Sequence, residues 1–210
     1  HNTLVSKRDG GVQVKAQQEK QKTELQSQEA EYESKLKKNQ ELLDDLWQEM
    51  RDKQAEEQQI RELIRKAQAK SRSGQPSALV WPTPSVHTIS SKFGYRVHPI
   101  LGYTRLHTGI DMPVSMGSQV VSAASGEVIY SGYMGGYGYT IIIAQGGAMQ
   151  TLYAHLSGFA VRAGAEVQAG QTIAYSGGAK GHPGAGYSTG PHLHFEVRIN
   201  GQPEDPLNYL

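Results

Sequence analysis

The chain has no cysteine, no long apolar run and almost no net charge, and each absence bears on the classes of protein to which it could belong. A chain without thiols forms no disulfides; it suits either redox compartment and fits an exported protein that forgoes them. The longest apolar run, residues 140–144, falls far short of the ~20 residues of a membrane helix, so no membrane span is expected in this sequence. A formal net charge of +1 gives no compositional case for nucleic-acid binding.

Proline and charge are distributed unevenly along the 210 residues. No proline precedes Pro76, and residues 1–75 hold 29 of the 41 Lys, Arg, Asp and Glu side chains. The other 135 residues hold 12. This uneven distribution predicts that two different architectures are joined in the chain. Its length suits one globular domain with an appendage.

Residues 12–72 are rich in Gln, Glu, Lys and Leu and contain neither Gly nor Pro, which predicts one long helix. Apolar residues recur in it at heptad spacing, so the segment is predicted to be a coiled coil with an imperfect seam. The first seam position holds Leu36, Leu43, Met50 and Ile64, with Glu29 and Glu57 as polar exceptions; the second holds Leu25, Tyr32, Leu46 and Ile60, with Asn39 and Lys53 as exceptions.

Residues 89–210 change to short β-branched and aromatic runs broken by glycine. Regular short strands with turn signals predict a compact antiparallel β-sandwich or barrel. The strands are predicted at residues 119–123, 126–133, 139–144, 149–156, 171–175 and 192–199. The predicted organisation is therefore an α-helical coiled-coil segment at 1–75, a proline-containing linker at 76–88 and a mainly β domain at 89–210.

Near the C-terminus, residues 191–197 read Pro-His-Leu-His-Phe-Glu-Val, an alternation typical of a strand. Because successive side chains of a strand point to opposite faces, His192, His194 and Glu196 are predicted to share one face. The apolar residues between them line the other. One face of this strand is therefore predicted to be core and the other to carry chemistry.

A catalytic zinc site needs three protein ligands and a fourth position open for water, so the two histidines alone are not enough. His107 and Asp111 lie four residues apart in a stretch whose composition favours extended backbone. His155, at the end of another apolar run, is a further candidate. The chain thus offers one carboxylate and two imidazoles for a metal, with two imidazoles to spare.

These motifs resemble those of the LytM or lysostaphin-type zinc metallopeptidases, the peptidoglycan endopeptidases of peptidase family M23. The family's H-x-x-x-D matches residues 107–111, and its H-x-H matches residues 192–194. Its lone active-site histidine, on the preceding hairpin, matches His155. The resemblance covers residues 90 to 207, and it implies a compact antiparallel β fold with a narrow groove floored by the metal-bearing strands.

The resemblance further implies that His107, Asp111 and His194 hold one zinc ion per chain. Two neutral imidazoles and one carboxylate leave the metal a charge of about +1, so it remains a Lewis acid that can lower the pKa of bound water toward ~7. His155 and His192 stay free of the metal in the family pattern. We expect His192 to act as base and His155 to stabilise the oxyanion, with the exchanged roles left open.

The leading hypothesis is a zinc endopeptidase that hydrolyses peptide cross-links of bacterial peptidoglycan with activated water as nucleophile. The context of residues 93–99 resembles the branch that acts on D-amino-acid cross-links more than the glycyl-glycine cutters. An alternative is a non-hydrolytic envelope or cell-division adaptor that activates a separate amidase through its coiled coil, but adaptors of that kind commonly lose zinc ligands. A metal-dependent carbohydrate-binding or structural module is a weaker alternative, because the two spare histidines serve hydrolysis better.

The helix admits two interpretations under this hypothesis. It is either a solvated spacer or dimerisation helix, or a regulatory helix that packs near the catalytic cleft or docks on a membrane-associated partner through Trp47. Partners are accordingly peptidoglycan peptides and, through the helix, a second copy or an envelope protein. The expected location is extracytoplasmic, in the periplasm or cell wall. Because the sequence starts at His1 rather than Met, it is expected to be a mature or trimmed form with any signal or anchor upstream.

Three further features carry expectations. Glu196 is expected to be a solvated face carboxylate, with a role as hydrogen-bond acceptor for an imidazole as the alternative. Tyr103 and Tyr153 are expected to be structural. The loop at residues 178–190 is a few residues longer than the family's compact loop, so its Lys180 and His182 either contact acidic groups of the substrate or belong to an inert surface loop.

Overall fold

The computed structural model describes residues 2–68, 78–97 and 104–210, with side chains described from residue 14 onward. It separates into two compact units, His1–Arg51 and Asp52–Leu210. The boundary predicted between residues 75 and 76 lies outside the described residues and stays a prediction. Among the described residues, no helix combines the length and apolar character needed to cross a membrane.

The first unit is helical. Helix α1 runs continuously from Asn2 to Gln68, as the absence of proline and the helix-forming composition predict. Ion pairs one turn apart, such as Lys35 with Glu31 at 2.6 Å, lie on its solvated surface. Its seam residues before residue 52 include large exposed side chains, so pairing of this seam with another helix stays a prediction. The exposed ones are Leu25, Tyr32, Leu36, Leu43 and Met50.

The second unit contains the last turns of α1 and an antiparallel β domain. The strands are β1 (Gly94–Val97), β2 (Thr104–His107), β3 (Ile110–Met112), β4 (Gln119–Val121), β5 (Gly126–Met134), β6 (Gly138–Ala144), β7 (Met149–Phe159), β8 (Glu166–Val167), β9 (Thr172–Ser176), β10 (Leu193–Ile199) and β11 (Gln202–Glu204). Short 3₁₀ helices lie at Gly135–Tyr137 and Pro206–Asn208. The prediction of a mainly antiparallel β fold after a long helix is confirmed.

Two sheets organise these strands, a β1–β2 hairpin and a nine-stranded sheet in the order β11-β10-β7-β6-β5-β8. Strand β3 pairs with β10, and β9 pairs with both β4 and β7. Every pairing is antiparallel, and β10 lies between β7 and the short strands β3 and β11. The central position of β10 matters because it carries the second histidine of the H-x-H motif.

The main core lies on the inner faces of these strands. Leu193, Phe195 and Val197 are fully buried in it, so the predicted apolar face of β10 is confirmed. Tyr153 packs on Phe195 with ring centroids 5.3 Å apart, and its hydroxyl accepts a hydrogen bond from the Ala123 amide at 2.7 Å. Tyr153 is therefore structural, as expected, whereas Tyr103 lies outside the described residues.

A second apolar cluster joins α1 to the β domain within the second unit. Ile60 and Ile64 are 0% and 2% exposed, and they pack with Met134, Ile142, Leu152 and Ala154. The segment after the undescribed residues also packs on the domain, since Leu79 is buried and its amide donates to the Tyr209 carbonyl at 2.9 Å. Both the end of the helix and the predicted linker thus contribute to the folded β unit.

Candidate metal centre

Three strands bring the predicted metal ligands together. His107 ends β2 and Asp111 lies in the middle of β3, where it is registered directly opposite His194 of β10. The chain bends between β2 and β3, and at that bend a side chain on Gly109 would lie 2.2 Å from the Phe195 carbonyl oxygen. Only glycine allows this close approach, which sets the two halves of H-x-x-x-D against β10.

The donor atoms of this trio converge. Asp111 Oδ1 lies 2.9 Å from His194 Nδ1 and 3.1 Å from His107 Nε2, and the two imidazole nitrogens are 3.1 Å apart. All three ligand atoms fall within 4.8 Å of one another. One carboxylate and two imidazoles in this arrangement form a group that could hold a metal ion.

Hydrogen bonds on the far side of each imidazole test whether a metal fits. His107 Nδ1 lies 2.8 Å from the Lys92 carbonyl oxygen, which can only accept, so Nδ1 carries the proton. His194 Nε2 lies 3.0 Å from Glu196 Oε1, a carboxylate acceptor. In these neutral tautomers the nitrogens that face Asp111 present lone pairs, so three acceptors converge and the site fits a cation.

The electrostatics of the trio favour positive charge in the same place. Burial alone would raise the pKa of Asp111, but when the facing nitrogens of His107 and His194 carry protons they donate to its carboxylate and hold that pKa well below its usual range. Burial opposes protonation of His194, yet its hydrogen bonds to Asp111 and Glu196 outweigh burial and raise the pKa of His194 to about 9. A divalent ion would supply the charge that the proton otherwise supplies.

His155 faces the trio from β7. It adopts a left-handed backbone conformation with φ 56°, and its Nδ1 lies 2.7 Å from the Ala185 carbonyl oxygen. Nδ1 therefore donates to that carbonyl, and Nε2 carries the lone pair. Burial, followed by the neighbouring His194 and His192, lowers the pKa of His155 to about 3, so the ring is neutral at physiological pH.

His192 precedes β10 and lies beside His155, with ring centroids 4.7 Å apart. Its Nδ1 is 2.8 Å from the Gly190 carbonyl oxygen, so this nitrogen donates. Its Nε2 then presents a lone pair 3.7 Å from Asp111 Oδ1. Both spare imidazoles thus keep their basic nitrogen available beside the donor trio.

All five predicted site residues line one cleft of about 660 Å³. The long loop borders it as well, through its residues 187–190, whereas Lys180 and His182 are not among the described residues that line it. The helix contributes Lys53 and Glu56 to the same cleft. Of the two interpretations of the helix, packing near the cleft therefore applies to residues 52–68, the part of the helix in the second unit.

The expectation that Glu196 is solvated is wrong. Glu196 is fully buried, and it accepts hydrogen bonds from His194, from Tyr137 at 2.8 Å, from Thr108 and from Arg198 at 2.6 Å. The cause is that other elements cover the face of β10 that carries Glu196: Tyr137 of the 3₁₀ turn donates to Glu196, and Glu57 of helix α1 pairs with Arg198 on the same face. Burial opposes ionisation of Glu196, but Arg198 and His194 hold its pKa well below its usual range.

Sequence reasoning missed three further residues of this network. Arg198 continues the alternation of the chemical face of β10, which could have identified it. Tyr137 gave no signal, because it lies in a short 3₁₀ turn without a motif. Glu57 was visible only as a charged residue in the heptad seam, and it forms a two-point ion pair with Arg198 at 2.7 and 2.9 Å.

The chain is similar to several known peptidases. Residues 105–206 match the family described as Peptidase family M23. Over 126 residues the chain is 48% identical to the DD-carboxypeptidase/endopeptidase Mpg of Neisseria meningitidis, which covers 60% of this chain and 28% of that protein. A zinc-containing peptidase from Vibrio cholerae superposes with a TM-score of 0.55 and 32% identity, over 65% of this chain and 40% of that one. The catalytic domain of lysostaphin from Staphylococcus simulans superposes with a TM-score of 0.50 and 32% identity, over 58% of this chain and 90% of that domain.

The fold and the converging donors define an antiparallel β protein with a His-Asp-His group that could hold a metal ion. The match to nine-tenths of the lysostaphin catalytic domain makes the assignment specific: the chain belongs to peptidase family M23. The resemblance read from the motifs is confirmed. The chain spans about 28% of the length of the Mpg proteins that it matches.

Proposed function

We propose that this chain is a zinc-dependent endopeptidase that hydrolyses peptide cross-links in bacterial peptidoglycan, outside the cytoplasm. The observation that carries the proposal is a complete set of groups in one cleft: three ligand atoms within 4.8 Å of one another, flanked by two further imidazoles. A structural zinc site would be closed by a fourth protein ligand, whereas three ligands leave room for water. D-amino-acid cross-links are the proposed target, and the name of the Mpg relative, a DD-carboxypeptidase/endopeptidase, supports that choice.

His107 Nε2, Asp111 Oδ1 and His194 Nδ1 would hold the metal, because these atoms converge and their imidazoles donate their other nitrogens to fixed acceptors. Zinc, when bound there, supplies a Lewis acid that acidifies water and polarises a carbonyl. The protein's part is to fix the ligands before substrate arrives. The acceptors on Lys92 and Glu196 do this by setting the tautomer and the orientation of each ring.

His192 is the proposed general base. Its Nε2 lone pair faces the trio, and its Nδ1 proton is held by the Gly190 carbonyl, so Nε2 can take a proton from the attacking water and deliver it to the leaving amine. Burial lowers the pKa of His155 to about 3, so that ring is a weak base. Its weak basicity supports the predicted assignment over the exchanged one.

His155 is the proposed oxyanion partner, and its hydrogen bond to Ala185 determines when it can donate. Since Nδ1 donates to the Ala185 carbonyl, Nε2 can donate to an oxyanion only after the ring has taken a proton from solvent in the cleft, which it returns to solvent when the oxyanion collapses. The negative charge that develops on the oxyanion raises the affinity of the ring for that proton. His155 therefore acts late, as charge appears, and has no part in holding the metal.

The test separates metal binding from hydrolysis in the full chain. We expect His194→Ala to lose both zinc and activity, and His192→Ala to retain zinc while its kcat falls by about 10²-fold or more. Zinc content is measured by mass spectrometry of the metal, and hydrolysis by mass spectrometry of cross-linked peptidoglycan after digestion. His87→Ala is the matched control, since His87 is exposed and does not line the cleft.

The product masses name the bond that is cut. Products that carry a newly freed D-amino-acid carboxylate support the proposal, and cleavage between glycines would reassign the substrate. Full activity in His192→Ala would overturn the role of His192. If the zinc-loaded chain cuts no type of wall, the hydrolase proposal fails and the adaptor alternative takes its place.

A further inference from the structure

A continuous path of hydrogen bonds connects helix α1 to the metal ligand His194. Glu57 on the helix pairs with Arg198, Arg198 donates to Glu196, and Glu196 accepts from His194 Nε2. All four residues belong to the second unit. Glu57 lies far upstream of residues 105–206, the part of the chain that matches the family.

Arg198 is the centre of this path, and its guanidinium is fully buried. Its two terminal nitrogens hold both oxygens of Glu57, at 2.7 and 2.9 Å, while its Nε donates to Glu196 Oε2 at 2.6 Å. A guanidinium is planar, so a two-point contact with Glu57 fixes the rotation of the whole group. Glu57 thereby decides which nitrogen of Arg198 reaches Glu196.

The two oxygens of Glu196 have separate partners as a result. Oε2 accepts from Arg198, and Oε1 accepts from His194 at 3.0 Å, from Tyr137 and from Thr108. If Glu57 were absent, the terminal nitrogens of Arg198 would lose their carboxylate, and Glu196 is the other carboxylate in contact with that guanidinium among the described residues. A guanidinium turned to face Glu196 with two nitrogens would draw Oε1 away from His194.

We propose that Glu57 is a positioning residue for the metal ligand His194, acting through Arg198 and Glu196. Its carboxylate occupies the terminal nitrogens of Arg198, which leaves Glu196 Oε1 to hold the His194 ring in the orientation that points Nδ1 at Asp111. The catalytic consequence rests on the proposed function, whereas the consequence for metal affinity does not. The end of helix α1 is therefore part of the support of the metal centre, and the family-matched region by itself lacks one member of it.

The experiment compares four variants in the full chain. Glu57→Gln keeps the shape of the side chain but removes the charge, and Glu57→Asp keeps the charge on a shorter stem. Glu62→Gln is the control for loss of a helix ion pair, since Glu62 pairs with Arg65 on the exposed face. Ile64→Val is the control for looser helix packing. Ile64 is buried in the second apolar cluster, and its side chain has no polar group that could join the path from Glu57 to His194.

The Kd for Zn²⁺ is measured by competition with a chromophoric chelator. We expect Glu57→Gln to weaken zinc binding by about 10-fold. This is the lower end of the loss expected when a metal ligand loses its direct hydrogen-bond partner, because Glu57 acts through two intervening residues. Glu57→Asp should fall between Glu57→Gln and the unmodified chain. Glu62→Gln and Ile64→Val should stay within about two-fold of the unmodified chain.

Nuclear magnetic resonance of ¹⁵N-labelled histidine gives a second measurement that does not depend on activity. The Nε2–H signal of His194, protected by Glu196, should shift in Glu57→Gln and stay in place in Glu62→Gln and Ile64→Val. With zinc saturating, kcat on peptidoglycan should fall in Glu57→Gln while KM changes by less than about two-fold, since Glu57 is not among the described residues that line the cleft.

Two results would overturn the proposal: zinc affinity and the His194 signal unchanged in Glu57→Gln, or an equal loss of affinity in Ile64→Val, which would reduce Glu57 to a packing role. Failure of the hydrolase proposal is a different result. A chain that binds zinc, loses affinity in Glu57→Gln and still cuts no peptidoglycan would sink the proposed function and leave the positioning role of Glu57 in place.

Discussion

The two ends of helix α1 have the same kind of seam and different surroundings. In the first unit Leu36 and Tyr32 are 68% and 66% exposed, whereas in the second unit Ile60 and Ile64 are almost completely buried against the β domain. The heptad pattern runs through both stretches without a change of spacing. A heptad seam therefore identifies which side chains need a partner and gives no information on whether that partner belongs to the same chain.

Charged residues in the seam differ between the two ends as well. Glu29, in the first unit, is exposed, but Glu57 lies at the equivalent heptad position and pairs with the buried Arg198. A charge in a seam is commonly a device for register or specificity. At Glu57 the partner is a strand residue, so here the polar exception marks the point where the helix meets the hydrogen bonds behind the candidate metal centre.

Truncating one seam residue at each end should give the largest contrast in stability. We expect Ile60→Ala to lower the free energy of unfolding of the second unit by about 2–4 kcal/mol, because it removes methylene groups from a packed cluster and leaves a cavity. Leu36→Ala, at an exposed seam position, should change it by less than about 0.5 kcal/mol. Denaturant titrations followed by the fluorescence of Trp81, in chains with Trp47→Phe, measure the second unit alone.

A loss in Leu36→Ala as large as that in Ile60→Ala would show that the first part of the helix is also packed on a partner that stabilises the second unit. The contrast drawn from burial would then be incorrect. Equal and negligible effects would instead mean that the helix is not docked at Ile60.

Hydrogen exchange should sharpen the same contrast at the backbone. Amides of residues 56–66 are protected by packing on the β domain, while those of residues 20–45 belong to an exposed helix, which is marginal in water without a partner. We expect exchange in the first stretch to be slower by about 10-fold or more, which corresponds to ~1.4 kcal/mol in opening free energy. Mass spectrometry of peptides from the full chain measures both stretches together.

Repeating the exchange measurement at higher protein concentration tests whether the exposed seam pairs with a second copy of the chain. If the exposed seam pairs with a second copy, protection of residues 20–45 should rise with concentration, and sedimentation should show a mass above the 23.0 kDa of one chain. Protection that stays low at all concentrations would argue against the predicted homodimer and leave two interpretations, a solvated spacer and a helix that docks on an envelope protein.

Six of the eleven strands in the described residues could be predicted from the sequence, and the five candidate site residues could be named from it, because both leave short-range patterns. Alternation over residues 192–199 identified β10 to within one residue, and five chemical residues at family spacing fall in one cleft. Burial of Glu196 and the pairing of Arg198 with Glu57 could not be predicted, because they depend on which elements cover β10. That information lies in contacts between residues more than a hundred positions apart, which no local pattern records.

The division of helix α1 between the two units could not be predicted for a related reason. The composition of residues 52–68 matches that of the preceding helix, so the whole stretch was assigned to the coiled-coil segment. Its membership of the second unit follows from the fit of two isoleucines into a gap beside β6 and β7. Such a fit depends on the folded surface of the β domain, which the helix sequence does not record.

The pH dependence of helix docking should give the smallest effect, and it isolates one contact. Glu56 is 8% exposed, and its Oε1 accepts a hydrogen bond from the Gly136 amide at 2.6 Å. Burial raises the pKa of Glu56 above its ordinary value, although the bond from Gly136 acts in the opposite direction. Between the ordinary and the raised pKa the folded chain binds more protons than the unfolded chain, so this group loses stabilising effect as pH rises through that interval.

Glu56→Gln removes the titration while the amide oxygen can still accept from Gly136. We therefore expect the stability of Glu56→Gln, relative to the unmodified chain, to improve as pH rises from about 4 to 7, by less than the effect of Ile60→Ala. Glu62→Gln should move in the opposite direction, because the hydrogen bond from Arg65 lowers the pKa of Glu62, so its stabilising effect is complete above the ordinary value of 4.5 and is lost as pH falls through the lowered value. Thermal unfolding of the three chains from about pH 3 to 7 measures both differences. A shift of the same sign in both variants would mean that the charge of the helix as a whole, and not burial at Gly136, governs the response.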